Sequence, residues 1–293
     1  MQREFSLVLA TIGRYQEVEA FLRSLENQTY RAFSVILVDQ NADAALLAPL
    51  IERSPLKILR ITSPKGLSRA RNAGLSHCHG DVVCFPDDDC QFPPDLLERV
   101  NLAYERTGAD VLVGRQLDMH DNNGSVPPTQ TGQLLMRFLR RGKSEESLES
   151  LCWNAPSSVL FFSRKAVACT GSFDESMGVG AGTPWGSGEE TDYLIRACLQ
   201  GCVCVRCLDL CVHHPSVDLG HLCHSKARAY GRGRSYLIRK HRLGRIFALL
   251  NIIFPLLKAV YFLPHIEIAR YYLYLAWGRL EGYFLPADTG HQQ

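Results

Sequence analysis

The chain lacks most of the features that name a protein class at a glance. It has no charge imbalance: 32 Lys and Arg against 30 Asp and Glu give a formal net charge of +2, which points to no particular partner. No secretory leader is legible. Met1-Gln2-Arg3-Glu4 runs straight into Phe5–Ala10, too short for a signal core, and a cytosolic protein is expected. The eleven cysteines are an odd number, many within apolar runs, which excludes a simple disulfide framework and favours packed, reduced thiols. Cys204-x-x-Cys207 has no second Cys-x-x-Cys to pair with, so the set Cys202, Cys204, Cys207, Cys211, His213, His214, His221, Cys223 and His224 reads as thiols and loop histidines before zinc ligands. There is no internal repeat. Acid is missing from His224 to Arg245, which holds eight cations: Lys226, Arg228, Arg232, Arg234, Arg239, Lys240, Arg242 and Arg245.

What is present alternates between strand and helix signals. Strands are expected at Ser6–Ala10, Ser34–Val38, Lys57–Ile61, Asp81–Phe85, Ser158–Ser163 and Cys202–Cys207. Helices are expected through Val18, Phe21, Leu22 and Leu25, over Leu67–His77, and from about Asp95 behind Pro93-Pro94. Short apolar strands separated by helices imply βαβ units and a mostly parallel α/β sheet. The polar stretch Met119–Thr131 reads as an exposed loop. Gly178–Gly188, with one Trp, reads as a mobile lid that closes on a ligand or as an ordinary flexible connector.

The apolar stretch Ile246–Leu263 is broken by Asn251, Pro255 and Lys258 and reaches only the lower edge of what spans a bilayer. Ile266–Phe284 mixes aromatics with Glu267, Arg270, Arg279 and Glu281. A helix pair lying on an anionic membrane surface is one reading, and a pair packed on protein is the other. Basic residues interleaved with tyrosines from Arg228 to Tyr236 suit a diphosphate or a lipid headgroup better than nucleic acid, for which no fold is in sight. Two regions follow: 1–220 as an α/β domain and 221–293 as a basic and apolar helical region.

Three clusters carry chemistry. Phe85-Pro86-Asp87-Asp88-Asp89-Cys90 sets three carboxylates at the carboxyl end of a buried strand, where open α/β sheets bind ligands. A hard divalent cation with a phosphate-bearing ligand would compensate them, and an Asp-rich turn is the plain alternative. Arg69 and Arg71, about fifteen residues earlier at a helix start, offer planar donors for a diphosphate. Glu189, Glu190 and Asp192 open a helix directly after the glycine loop, where a carboxylate can serve as a general base or simply complement the helix dipole.

In order and spacing, Leu9-Ala10-Thr11, Val38-Asp39, Gly66 to Asn72, Gly80-Asp81, Phe85 to Asp89, Gly171 to Glu175 and Gly188 to Arg196 resemble an inverting family 2 glycosyltransferase of the GT-A fold, of the bacterial cell-surface polysaccharide kind. The resemblance runs from about Phe5 to His214. It implies that Thr11 and Asp39 contact the nucleotide base, Arg71 the base or diphosphate, and Asp87 the ribose, with Asp88 in support. Asp89, with His214, would ligate Mn²⁺ or Mg²⁺ on the diphosphate of a nucleotide sugar, UDP-type favoured, and Glu190 would activate the acceptor hydroxyl. The acceptor would be a glycan or lipid-linked molecule at the inner face of the cytoplasmic membrane. The start is Ala10-Thr11-Ile12-Gly13 where the family usually has Pro-Thr-Tyr-Asn, and Glu stands at 190 where Asp is commoner. No Gln-x-x-Arg-Trp motif is present, which implies transfer of a single sugar. A sugar-1-phosphate nucleotidylyltransferase would need a glycine-rich basic loop after the first strand, and Thr11 to Tyr15 is a poor one. A non-catalytic nucleotide-sugar-binding membrane scaffold is the remaining alternative.

Overall fold

The computed structural model describes residues 2–43, 45–119, 155–215 and 223–286. Most of the Met119–Thr131 loop, His221 and the expected boundary between 220 and 221 lie outside the described residues. The chain divides into two compact units: 1–65, 69–173 and 193–216 form the first, and 66–68, 174–192 and 217–293 the second.

The first unit holds a seven-stranded sheet. Its elements are β1 (Phe5–Thr11), α1 (Tyr15–Glu26), β2 (Phe33–Asp39), α2 (Ala48–Arg53), β3 (Ile58–Thr62), α3 (Leu67–Leu75), β4 (Val82–Cys84), α4 (Leu96–Thr107), β5 (Val111–Asp118), β6 (Leu160–Ser163), α5 (Arg164–Thr170), α6 (Glu189–Leu199) and β7 (Cys204–His214). The first residues of α3 and α6 fall in the second unit. Strand order is β3-β2-β1-β4-β6-β5-β7. β6 runs antiparallel to both β4 and β5, and the other pairings are parallel. Two reversals cancel, so β7 points the same way as β1 and β4, and their carboxyl ends share one edge.

Alternation sorts side chains between the two faces. Leu7, Leu9, Val35 and Leu37 join Phe21, Leu25, Leu97 and Val100 in one core, so α1 and α4 cover that face. Val8 and Val38 point the other way, against α3. Gly74 permits that approach, because a Cβ there would lie 2.3 Å from Val8 Cγ1. Each fully buried Leu or Phe contributes about 1.5–3 kcal/mol, which makes this layered core the main stabiliser of the sheet.

The expected strands are present, with differences at the far edge. β5 was not expected, because Gly114 and Arg115 interrupt its apolar run. β7 extends to His214, well beyond Cys207, past a register shift opposite Val113 and Arg115.

Among its described residues the second unit carries α7 (His224–Lys240), α8 (Arg245–Tyr261) and α9 (Ile266–Phe284). The basic, glycine-containing run from 224 to 240 is a helix whose glycines serve packing. A Cβ at Gly278 would come within 2.1 Å of the Arg228 carbonyl oxygen, and Gly231 and Gly282 are equally crowded, so α7 and α9 touch backbone to backbone. Arg228 and Arg232 of α7 both pair with Glu281 of α9. Pro255 sits inside α8 and has no N–H to donate to the Asn251 carbonyl one turn earlier. Arg279 Nη1 donates to that carbonyl at 2.5 Å.

The amphipathicity of α8 is inverted. Phe247, Ala248, Asn251, Pro255 and Ala259 are its buried stripe, while Ile246, Leu249, Leu257 and Val260 are exposed. On α9, Ile266, Leu273, Trp277, Leu280 and Phe284 form a second exposed apolar stripe. Among the described residues no helix is long and apolar enough to cross a membrane.

Candidate active site

The three aspartates follow β4 directly, and each is held by a different part of the first unit. Asp87 Oδ1 accepts from Ser157 Oγ at 2.8 Å and lies 3.7 Å from Arg71 Nη2. Asp88 Oδ2 accepts from Thr11 Oγ1, at the end of β1, at 2.7 Å. Arg14 Nη1, just past β1, reaches Asp88 Oδ1 at 2.9 Å and Asp89 Oδ2 at 2.6 Å. From β7, His214 Nε2 lies 3.1 Å from Asp89 Oδ1 and 3.9 Å from Asp87 Oδ2.

His214 arrives there through the backbone. Gln91, just past the cluster, exchanges two hydrogen bonds with His213, Gln91 N to His213 O at 2.8 Å and His213 N to Gln91 O at 3.0 Å. This isolated bridge fixes the last residue of β7 over the cluster. His214 Nδ1 is 2.7 Å from the Pro215 carbonyl oxygen, which can only accept, so Nδ1 carries the proton. Nε2 also faces an acceptor, Asp89 Oδ1 at 3.1 Å, so the ring donates there as the imidazolium; on losing that proton, Nε2 would offer its lone pair at the place a metal-ligating histidine does.

The electrostatics follow from crowding. Burial raises the Asp87 carboxyl despite Arg71 and Ser157, and burial also raises Asp88 against the pull of Thr11 and Arg14. For Asp89, burial alone would do the same, but the His214 hydrogen bond and charge, then Arg14, bring it down to about 2. His214 is raised in turn, the Asp89 contact outweighing its own burial. One carboxylate in the cluster is thus held firmly ionised beside a ring nitrogen.

Accessibility separates the groups a ligand can reach from those that support them. Asp87, Asp89, His214 and Arg14 side chains are 28%, 19%, 28% and 42% exposed. Thr11, Asp39 and Arg71 are buried. Asp39, expected at the nucleotide base, has its oxygens occupied: Oδ2 accepts from Arg60 Nε and Nη2, and Oδ1 from Asn41 N and Nδ2. These four bonds hold Arg60 and Asn41 beside the Asp39 carboxylate. Arg71, 2% exposed, lies over the Phe173 ring at 5.4 Å and compensates the cluster from beneath. Phe173 itself stacks on Tyr193 at 4.1 Å and meets Phe85 edge-on at 4.9 Å, which fixes the floor under Asp87. Arg69 donates to the Lys65 carbonyl at 3.0 Å.

Among the described residues no group of three or more His, Cys, Asp or Glu forms a preformed metal cage. A hard divalent cation bound through one or two carboxylates plus ligand phosphates needs none, and Asp89 with His214 Nε2 fits that mode. Of the cysteines expected as packed thiols, Cys202 and Cys207 are buried and Cys204 Sγ lies 2.8 Å from Cys198 Sγ, while Cys211 is half-buried and Cys223 exposed.

In the second unit, the three acids that open α6 have separate fates. Asp192 is fully buried, with Lys240 Nζ at 2.7 Å and His241 Nε2 at 2.8 Å. Lys240 also holds Asp174 at 2.6 Å. Glu189 is buried, and its carboxyl packs where a Gly178 Cβ would be. Glu190 alone of the three stays half-buried. The glycine loop before it is anchored: Trp185, expected as a lid residue, is buried and stacks on Tyr236 at 4.4 Å. Ser187 Oγ donates to the Tyr230 carbonyl, and Leu67 N to the Val179 carbonyl.

Residues 6–167 match the family described as Glycosyl transferase family 2, more than half of the chain. The chain belongs to glycosyl transferase family 2. An uncharacterized glycosyltransferase of Haemophilus influenzae is 33% identical over 101 residues, 34% of this chain and 34% of that protein. The amylovoran biosynthesis glycosyltransferase AmsB of Erwinia amylovora is 38% identical over 108 residues, 35% of this chain and 36% of that protein. The matched part thus spans about a third of these relatives' length. The mannosyltransferase PcManGT of Pyrobaculum calidifontis, solved with GDP-Man and Mn²⁺, superposes with a TM-score of 0.68 at 14% identity, covering 97% of this chain and 88% of that one. TarS of S. aureus gives 0.57 at 14% identity, covering 94% and 91%. At that identity the likeness shows the fold, the GT-A arrangement expected from the sequence.

For this family 2 chain, sequence reasoning missed Arg14, Ser157 and the Lys240 network. Only Arg14 left a signal, a cation three residues past the end of the first strand.

Proposed function

We propose that the protein is a metal-dependent, inverting glycosyltransferase that moves a single sugar from a nucleotide-diphospho-sugar, UDP-type favoured, to an acceptor hydroxyl in cell-surface polysaccharide or glycolipid assembly. The observation that carries this is the convergence of Asp87, Asp89, His214 and Arg14 at the shared carboxyl edge of β1, β4 and β7. Solved proteins of this fold bound UDP-GlcNAc in one case and GDP-Man with Mn²⁺ in another, which supports the donor class and the metal. Asp89 and His214 Nε2 hold the cation, Asp87 takes the ribose side, and the Arg14 guanidinium faces the diphosphate. A divalent cation there supplies charge neutralisation for the departing nucleoside diphosphate. Glu190, the half-buried acid of α6, accepts the proton from the acceptor hydroxyl as its oxygen attacks the anomeric carbon opposite the leaving group. The exposed apolar stripes of α8 and α9 lie on the inner face of the cytoplasmic membrane, where a lipid-linked or nascent glycan acceptor is presented.

Thermal stabilisation by UDP tests the first half of this reading. Wild-type protein should gain roughly 5–10 °C with UDP and Mn²⁺ near saturation, from about 2–3 kcal/mol of linked binding energy, and the gain should vanish with chelator and in Asp89→Asn. Equal stabilisation with and without metal in both proteins would sink it.

A further inference from the structure

Two thiols of the first unit stand within reach of a covalent bond. Cys198 Sγ, in the last turn of α6, lies 2.8 Å from Cys204 Sγ, on the first residue of β7. A disulfide needs about 2.05 Å between its sulfurs, so each has to move by less than about 0.5 Å. The backbone on both sides fixes this approach. α6 closes through Gln200 N to the Arg196 carbonyl at 3.0 Å, Gly201 N to the Cys198 carbonyl at 3.1 Å and Cys202 N to the Ala197 carbonyl at 3.1 Å. Gly201, at φ +81°, is the left-handed residue that turns the chain back. Beyond the turn, Val203 N donates to Asp110 Oδ2 at 2.9 Å, the Val203 carbonyl accepts from Asp110 N at 2.8 Å, and Cys204 sits opposite Val111 in the sheet. Helix and sheet thus hold the two sulfurs face to face.

Access and reactivity distinguish this pair from the packed thiols. Both are half-buried, flanked by exposed Leu199 and Val203. The thiolate is the reactive form of cysteine. Burial raises the thiols of Cys78, Cys84, Cys90, Cys202 and Cys207, which keeps them protonated. At Cys198 the hydrogen bond with Cys204 outweighs burial and lowers the thiol. Disulfides that form under reducing conditions are transient and follow redox state.

We propose that Cys198 and Cys204 form a reversible redox site, closing to a disulfide when the protein meets a hydroperoxide and reopening with a dithiol reductant. The Cys198 thiolate attacks one peroxide oxygen, the O–O bond breaks, and a sulfenic acid forms as the other oxygen leaves as water. The Cys204 thiolate then attacks the sulfenic sulfur; the S–S bond forms, the S–O bond breaks, and hydroxide leaves and is protonated to a second water. The two thiols lose two electrons and two protons, and the peroxide is reduced to two waters. The bond joins the end of α6 to the start of β7 and closes a short loop around the Gly201 turn.

Differential alkylation of the full chain after treatment with hydrogen peroxide tests it. Free thiols are blocked with iodoacetamide, disulfides are then reduced, and the released thiols are labelled with N-ethylmaleimide. Trypsin releases Ala197–Arg206 as one peptide that holds Cys198, Cys202 and Cys204. Fragmentation should find the second label on Cys198 and Cys204 and the first on Cys202. The oxidised protein should melt roughly 3–8 °C above the reduced one, because the bond restricts the unfolded chain, and dithiothreitol should reverse the shift. Cys198→Ala and Cys204→Ala should each abolish the shift, whereas Cys202→Ala should keep it. Second label on Cys202 in place of either partner, or sulfinic acid at Cys198 with Cys204 still carrying the first label, overturns the pair. So does first label on both thiols at a peroxide dose that already oxidises the exposed Cys169.

Discussion

Replacing Lys240 by Met should destabilise the protein by about 2–3 kcal/mol, because one ammonium holds two carboxylates. Its Nζ lies 2.6 Å from Asp174 and 2.7 Å from the fully buried Asp192. Removing one partner of a buried ion pair costs about 3–5 kcal/mol, since the stranded charge loses water and counter-charge together. The figure is reduced here because Lys240 and Asp174 are each 26% exposed and His241 still touches Asp192. Met keeps the stem packing, so the loss reports charge. At about 2–4 °C per kcal/mol for a chain this size, the melting temperature should fall by roughly 5–10 °C. The double variant with Asp192→Asn should be less destabilised than the sum of the singles, with a coupling of about 1–2 kcal/mol. The pH dependence has a defined sign. Burial would lower Lys240, but Asp174 and Asp192 raise it, so its contribution is complete below the ordinary lysine value of about 10.4 and is lost as pH climbs through the higher folded value. Burial would raise Asp174, but Lys240 and then Ser176 lower it, so its contribution holds above about 3.9 and is lost as pH falls through the lower folded value. The gap between wild type and Lys240→Met should therefore be flat from about pH 5 to 9 and shrink at both extremes. Urea unfolding at several pH values measures it. A Lys240→Met variant within about 0.5 kcal/mol of wild type, or strict additivity in the double variant, would refute the reasoning.

Glu190→Gln should reduce sugar transfer by roughly a hundredfold or more while leaving UDP-dependent thermal stabilisation unchanged, the signature of a lost proton acceptor; loss of both would place Glu190 in donor binding instead. Gly278→Leu should prevent α7 and α9 from touching, since its first side-chain carbon already falls 2.1 Å from the Arg228 carbonyl, at a cost of at least about 3 kcal/mol by calorimetry. Trp185→Ala should cost about 3–5 kcal/mol by denaturant titration, because its ring is buried on Tyr236; a near-neutral effect would mean the loop is a lid after all.

The sequence alone determined the layered sheet and the location of its chemistry. Val-, Leu- and Ile-rich runs of five to seven residues between helical periods leave few alternatives to parallel βαβ units, and an acidic turn straight after a buried strand must emerge at the ligand edge. The same local logic made α6 legible from its acids and apolar face. What the sequence could not decide were facts of register and approach. His214 meets Asp89 because two antiparallel pairings turn β7 back into the direction of β4 and the Gln91–His213 bridge fixes its end; neither leaves a local trace 125 residues away. Only the tertiary structure sets Arg14 against Asp88 and Asp89, and Asn41 and Arg60 against Asp39. Within the region expected to be helical, the run from 224 to 240 carries glycines that lower helix propensity, and contact with α9 is what makes them favourable. Apolar stripes were visible in α8 and α9, but which stripe faces inward depends on their neighbours. There the structure buries Asn251 and Pro255 and turns Ile246, Leu257 and Val260 outward.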